Sequence, residues 1–125
     1  MPLDPLAKRF LAMTAAASPG DRSRTGLQNR VDDRRQALAK LMQFVRADVN
    51  VVAGIDGRLP GPAGDIPYRL YAPANATDAP LPGFVFFHGG GMVAGSIETH
   101  DRVCAALAQT TGCRLISVGD RKSVV

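Results

Sequence analysis

The sequence predicts an α/β fold, and three observations carry that reading. An apolar run, Phe84-Val85-Phe86-Phe87, ends in His88-Gly89-Gly90-Gly91. A helix-spaced segment follows and closes at Gly112, and a second strand-like run, Cys113 to Val118, comes directly after it. Strand, glycine loop, helix and strand in that order make one parallel βαβ unit, whose crossover is right-handed in nearly all proteins.

The bulk properties suit that class. A chain of 125 residues can form one domain that buries roughly two thirds of its unfolded surface. With 46% hydrophobic and 21% charged residues, it lies outside the disordered range. The net charge of +4 is uneven: residues 1–46 hold nine Lys/Arg against four Asp/Glu, and the remainder six against seven. That excess reads as the solvated face of two amphipathic helices. A nucleic-acid surface would need a dense basic run or a binding motif, and neither is present. Cys104 and Cys113 form no disulfide framework and no zinc spacing, so both read as buried free thiols.

The elements follow in order. Asp4-Pro5 starts a first helix, with Asp4 as N-cap and Pro5 where a missing N–H costs nothing. Leu6, Phe10, Met13 and Ala17 recur at helical spacing, and Ser18-Pro19-Gly20 ends the run. Asp21 to Asn29 reads as a loop. Asp32 or Asp33 opens a second helix with Leu38, Leu41, Met42 and Val45 on one face. Two helices ahead of any strand serve either as packing cover or as a lid. No apolar run spans a membrane. The start faintly resembles a signal peptide, but Asp4 and Pro5 break its n-region, and the expected location is cytoplasmic.

Val49-Asn50-Val51-Val52 and Ile66-Pro67-Tyr68-Arg69-Leu70-Tyr71 read as a strand pair joined by the turn Gly57 to Asp65. Pro67 places the second of these at a sheet edge. Gly83 to Phe87, apolar on both faces, reads as a strand buried between helix layers. Ser96 or Thr99 caps the next helix, whose apolar positions are Val103, Ala106, Leu107 and Thr110. Gly112 is its C-terminal glycine.

The glycine triplet has three readings. It can be a tight turn. It can belong to a dinucleotide fingerprint, since Gly89, Gly91 and Ala94 fit G-x-G-x-x-A, but the helix starts too late and no acidic residue closes the next strand. Or it is an oxyanion hole: bare backbone N–H groups fixed where negative charge develops in acyl transfer, with the His88 ring bonding neighbouring backbone.

The stretch from Phe87-His88-Gly89-Gly90-Gly91-Met92 to Thr99-His100-Asp101 resembles the HGGG segment of the hormone-sensitive-lipase-like α/β-hydrolases, the bacterial family IV carboxylesterases. The leading helices, Gly61-Pro62-Ala63-Gly64, Tyr71-Ala72-Pro73 and Cys113 to Val118 fit that family in order. The resemblance implies the N-terminal half of an α/β-hydrolase fold: cap helices in 1–46 and the first part of the core in 47–118, with the HGGG loop at the end of a central strand. It implies that Gly89 and Gly90 donate to the oxyanion and that Gly91 lets the loop turn. His88 then supports the loop, Met92 lines the acyl pocket, and His100 is a satisfied helix-start residue. No cofactor and no metal is implied, and the partner is a small acyl-ester substrate of the full-length protein.

The family pattern then stops. No G-x-S-x-G occurs, and neither Ser96 nor Ser123 lies on a strand-to-helix elbow, so no nucleophile is expected. Residues 119–125 depart from the family. Asp120 to Val125 can be spelled GAT CGG AAG AGC GTC GTG, which reads like a sequencing adapter, and the coding nucleotides test that. The expected protein is therefore a serine-esterase fragment without its triad, poorly soluble or molten because Phe84 to Phe87 lie at an open edge. The alternative is a short non-catalytic binding protein with a partial hydrolase fold.

Overall fold

The computed structural model describes residues 3–17, 27–43 and 54–120. Two helices, α1 (Pro5–Ala17) and α2 (Leu27–Gln43), precede the strands β1 (Ile55–Leu59), β2 (Ile66–Tyr71) and β3 (Gly83–Phe87). Helix α3 (Ile97–Thr111) and strand β4 (Arg114–Val118) complete the order. The strands form one sheet in the order β1-β2-β4-β3. β3 and β4 are parallel neighbours across α3, which is the βαβ unit read from the sequence. β1 with β2, and β2 with β4, run antiparallel.

Local chemistry explains the helix ends. Asp4 Oδ1 accepts from the Leu6 and Ala7 amides at 2.8 and 3.2 Å, which satisfies two of the orphan donors that open α1. Ser96 caps α3 through its hydroxyl, which accepts from the Thr99 amide, while the Thr99 hydroxyl accepts from the Ser96 amide. At the other end Gly112 takes the left-handed conformation (φ 70°) and donates to the Ala108 carbonyl.

The core lies between α3 and one face of the sheet. Tyr71, Cys104, Ala105, Ala108 and Leu115 are buried there, and Phe84, Phe86 and Leu107 pack against them. Burying a side chain such as Leu115 contributes roughly 1.5–3 kcal/mol. The pairing register places Ile55, Leu70, Ile116 and Val85 in one row of the opposite face, and Gly57, Tyr68, Val118 and Phe87 in another. On that face Ile55, Val85 and Phe87 are exposed.

Several expectations change. α2 starts at Leu27, inside the segment read as a loop, and Asp32 pairs with Arg35 one turn on instead of capping the helix. β1 lies at Ile55–Leu59 and runs into the stretch assigned to the turn at Gly57; Val49 to Val52, like Val45, fall outside the described residues. β2 is interior, not an edge. The Pro67 carbonyl accepts from the Gly119 amide at 2.8 Å, beyond the last β2–β4 pair, Tyr68–Val118. In an antiparallel strand a residue's N and C=O face the same neighbour, so the missing N–H falls where the ladder has ended.

Burial differs too. The buried side of α3 is Ile97, His100, Cys104, Ala105 and Ala108, shifted round the helix from Val103, Ala106, Leu107 and Thr110. Cys113 is only half-buried, because it sits in the connection after Gly112. β3 is covered on one face only and ends the sheet. Its alternate residues Phe84 and Phe86 face α3, while Val85 and Phe87 face outward. On α1, Leu6, Phe10 and Met13 keep their helical spacing but are exposed.

Candidate active site

β3 carries the chain from the covered face of the sheet into the glycine turn. His88, the first residue past the strand, has a side chain only 2% exposed. Its Nδ1 lies 3.0 Å from the Gly89 carbonyl oxygen, so the ring braces the backbone that it introduces. Nε2 lies 3.2 Å from Asp120 Oδ1. The two groups come within ion-pair distance, but Nε2 makes no aligned hydrogen bond.

The ring also stacks on His100, with centroids 5.5 Å apart and planes at 24°. His100 is buried in the first turn of α3, with Nδ1 3.0 Å from Thr99 Oγ1 and 3.3 Å from the Ser96 carbonyl. Burial holds its pKa below the ordinary imidazole value. The Ser96 carbonyl opposes that effect and His88 adds to it.

The turn itself is tightly wound. Gly90, Gly91 and Met92 all have positive φ, at 136°, 63° and 64°. The Val93 and Ala94 amides return to the Gly90 carbonyl at 3.4 and 3.1 Å. A Cβ at Gly90 would overlap the Ala94 carbonyl, so only glycine fits there. Gly89 is different. Its φ is not positive, and a Cβ would meet nothing within 4 Å, so the fold tolerates a side chain that the sequence does not place there. No hydrogen bond among the described residues uses the N–H of Gly89, Gly90 or Gly91. Met92, beside them, is 76% exposed.

Helix α2 reaches this turn. Arg35 Nε donates to the Val93 carbonyl at 2.8 Å, and Asp32 holds the same guanidinium at 3.3 Å. Sequence reasoning did not find Arg35, because 58 positions separate it from Val93 and only the helix-internal pairing with Asp32 is readable locally. The Asp120 contact with His88 was equally invisible.

A second polar cluster lies away from the glycines. Arg69 takes Asp56 in a two-bond fork, at 2.6 and 3.0 Å, and Asp101 at 2.8 Å. Tyr71 donates its hydroxyl to Asp101 at 2.8 Å. The Arg69 hydrogen bond holds the Asp56 carboxyl below the usual carboxylate range. Burial first, then the Asp101 bond, push the Tyr71 phenol far up. A cavity of about 290 Å³ opens here, lined by Asp56, Arg58, Tyr68, Arg69, Ile97 and Glu98 among others.

Of the described serines, Ser96 is the cap of α3, and Ser117 is fully buried on β4; Ser123 lies outside the described residues. Among the described residues no group of three or more His, Cys, Asp or Glu could hold a metal, and no helix is long and apolar enough to cross a membrane.

With this geometry in place, known proteins agree on one relationship. The α/β-hydrolase fold family matches residues 84–123. An acetyl esterase of Salmonella paratyphi A is 34% identical over 88 residues, which are 70% of this chain and 26% of that protein. The mouse arylacetamide deacetylase-like 4 family member 1 is 48% identical over 59 residues, 47% of this chain and 14% of its own length. An ester hydrolase from the metagenome of Lake Arreo superposes with a TM-score of 0.77 at 35% identity, covering 97% of this chain and 38% of that one. A hyperthermophilic esterase from Pyrobaculum calidifontis gives 0.76 at 32%, covering 98% and 37%. The chain thus spans about a quarter of the length of the acetyl esterase and under two fifths of the solved esterases.

Proposed function

From the premise that this chain belongs to the hormone-sensitive-lipase-like α/β-hydrolases, as an N-terminal part of that fold, we propose that it supplies the oxyanion hole of a carboxylic ester hydrolase. Gly89 and Gly90 donate their amide hydrogens to the tetrahedral oxyanion, Gly91 turns the loop, and His88 braces it. The observation that carries this is a pair of unclaimed N–H groups beside a glycine that the backbone does not require. Gly89 has ordinary φ and open space around its Cα, so its bareness serves approach by another molecule.

The chemistry follows from the donors. A carbonyl carbon attacked by a hydroxyl becomes tetrahedral and its oxygen takes on negative charge. Two amides fixed in advance meet that charge without reorganising, and losing one such donor costs on the order of 100- to 1,000-fold in rate. The substrate class is short or medium acyl esters, and the name of the acetyl esterase relative supports the short end of that range. Met92 borders the acyl side, and α2 forms part of the roof, which the reach of Arg35 from that helix supports. The nucleophile and its base are not among these 125 residues, so this polypeptide presents oxyanion donors without the covalent route.

The test is a titration of the isotopically labelled 125-residue chain with butyrate, a carboxylate that imitates the oxyanion. Amide shifts at Gly89 and Gly90, with Gly64 and Gly112 unmoved, are expected. Equal or absent shifts at all four would overturn the assignment. Alongside it, p-nitrophenyl acetate should be hydrolysed no faster than with a denatured control, and turnover above that control would contradict the missing nucleophile.

A further inference from the structure

Met92 presents a problem that the rest of the turn does not. It is the one described residue other than glycine with positive φ, at 64°, and its side chain is largely exposed, so its own packing does little to hold it there. A left-handed non-glycine residue is strained and persists only where its surroundings over-determine it. Within the turn, the Val93 and Ala94 amides bond to Gly90, but those bonds are internal and move with it. Among the described residues, the bond from outside is Arg35 Nε to the Val93 carbonyl at 2.8 Å, one peptide beyond Met92. Asp32, one helical turn earlier, keeps the guanidinium in place.

We propose that Arg35 is a positioning residue for the glycine turn: by fixing the Val93 carbonyl to α2, it holds Met92 left-handed and so aims the Gly89 and Gly90 amides. This rests on the oxyanion reading for its purpose, though not for its geometry. The guanidinium suits the task because its planar N–H edge fixes direction as well as distance. The arrangement makes the donors' aim depend on the seating of α2. An element that roofs the site thereby also tunes it.

Hydrogen–deuterium exchange of the full chain at high dilution tests this, read at the Val93 and Ala94 amides, which report the closed turn. Arg35→Met keeps the side-chain stem and removes the donor. It should speed exchange at those amides by roughly three- to tenfold, as expected for loss of one charge-assisted bond at a half-exposed site, with α3 and β4 unchanged. Arg35→Lys, which restores a donor, should recover part of the protection. Met92→Gly, which relieves the strain, should make the turn indifferent to Arg35→Met.

Unchanged exchange in Arg35→Met, loosening that spreads into α3 and β4, or persistence of the effect in the Met92→Gly background would each overturn the proposal. The butyrate titration separates the two ideas. A wild-type response that survives undiminished in Arg35→Met sinks the clamp alone, whereas no wild-type response sinks the oxyanion reading and leaves the exchange comparison intact.

Discussion

At the scale of single residues, His100 shows how burial becomes pH dependence. The ring stacks on His88, lies tilted against Phe86 and is buried, so the folded chain prefers it neutral. Its folded pKa lies below the unfolded value of about 6.5, so its contribution is complete above that pH. The contribution is lost as pH falls through the folded value. The urea midpoint should therefore drop between about pH 7.5 and about pH 5.5. His100→Asn, which keeps a donor for the Ser96 carbonyl, should flatten that window. Carboxylates such as Asp56, held low by Arg69, lose their contribution only in stronger acid. A wild-type midpoint that is level across the window would contradict this reading.

His88 and its glycines were legible from sequence because their meaning is local. A histidine and three glycines ending an apolar run are odd in themselves. Arg35 was not legible, since nothing in Asp32-Asp33-Arg34-Arg35 says which arginine turns toward a loop 58 positions away. Met92 was noticed as a pocket residue, but its left-handed backbone was not foreseeable. Methionine rarely takes that conformation, and only the closed turn imposes it.

At the scale of elements, α3 was the most readable part of the chain. Ser96 and Gly112 bracket it through side-chain and backbone chemistry that needs no tertiary partner. β1 was the least readable. Ile55-Asp56-Gly57-Arg58-Leu59 has a glycine at its centre and a single β-branched residue, so propensity argues against a strand. It forms because pairing with Ile66–Leu70 of β2 claims its backbone, and because Asp56 meets Arg69. Arg69 joins β1, β2 and α3 by holding Asp56 and Asp101 together, with its side chain 19% exposed. Arg69→Ala should therefore cost about 2 kcal/mol in a urea titration, since Asp101 is left half-buried without its cation. Asp56→Ala, which removes an exposed partner, should cost far less. Equal losses would show that the Asp56 pair, and not Asp101, carries the contribution of Arg69, against this reading.

At the scale of the whole molecule, the sheet is one-sided. α3 covers one face, while Ile55, Val85 and Phe87 lie exposed on the other, and β3 ends the sheet with its outer backbone edge unpaired among the described strands. Phe87, 74% exposed on an uncharged edge strand, is the steepest hazard. The 125-residue chain should associate as its concentration rises, seen by sedimentation, and Phe87→Lys should shift it toward monomer. A wild-type monomer at high concentration with a sharp thermal transition would contradict that. The net charge of +4 does little against such association, because β3 itself carries no charge.

Local sequence was enough to read the α/β class, the βαβ unit, the ends of α1 and α3, and a glycine turn after β3, because each depends on neighbours in the chain. Only folding could choose which face of α3 is buried, bring β1 and β2 together inside the sheet, or carry Arg35 to Val93. Those outcomes depend on which surfaces meet, and contact energies between distant segments leave no mark on either segment alone.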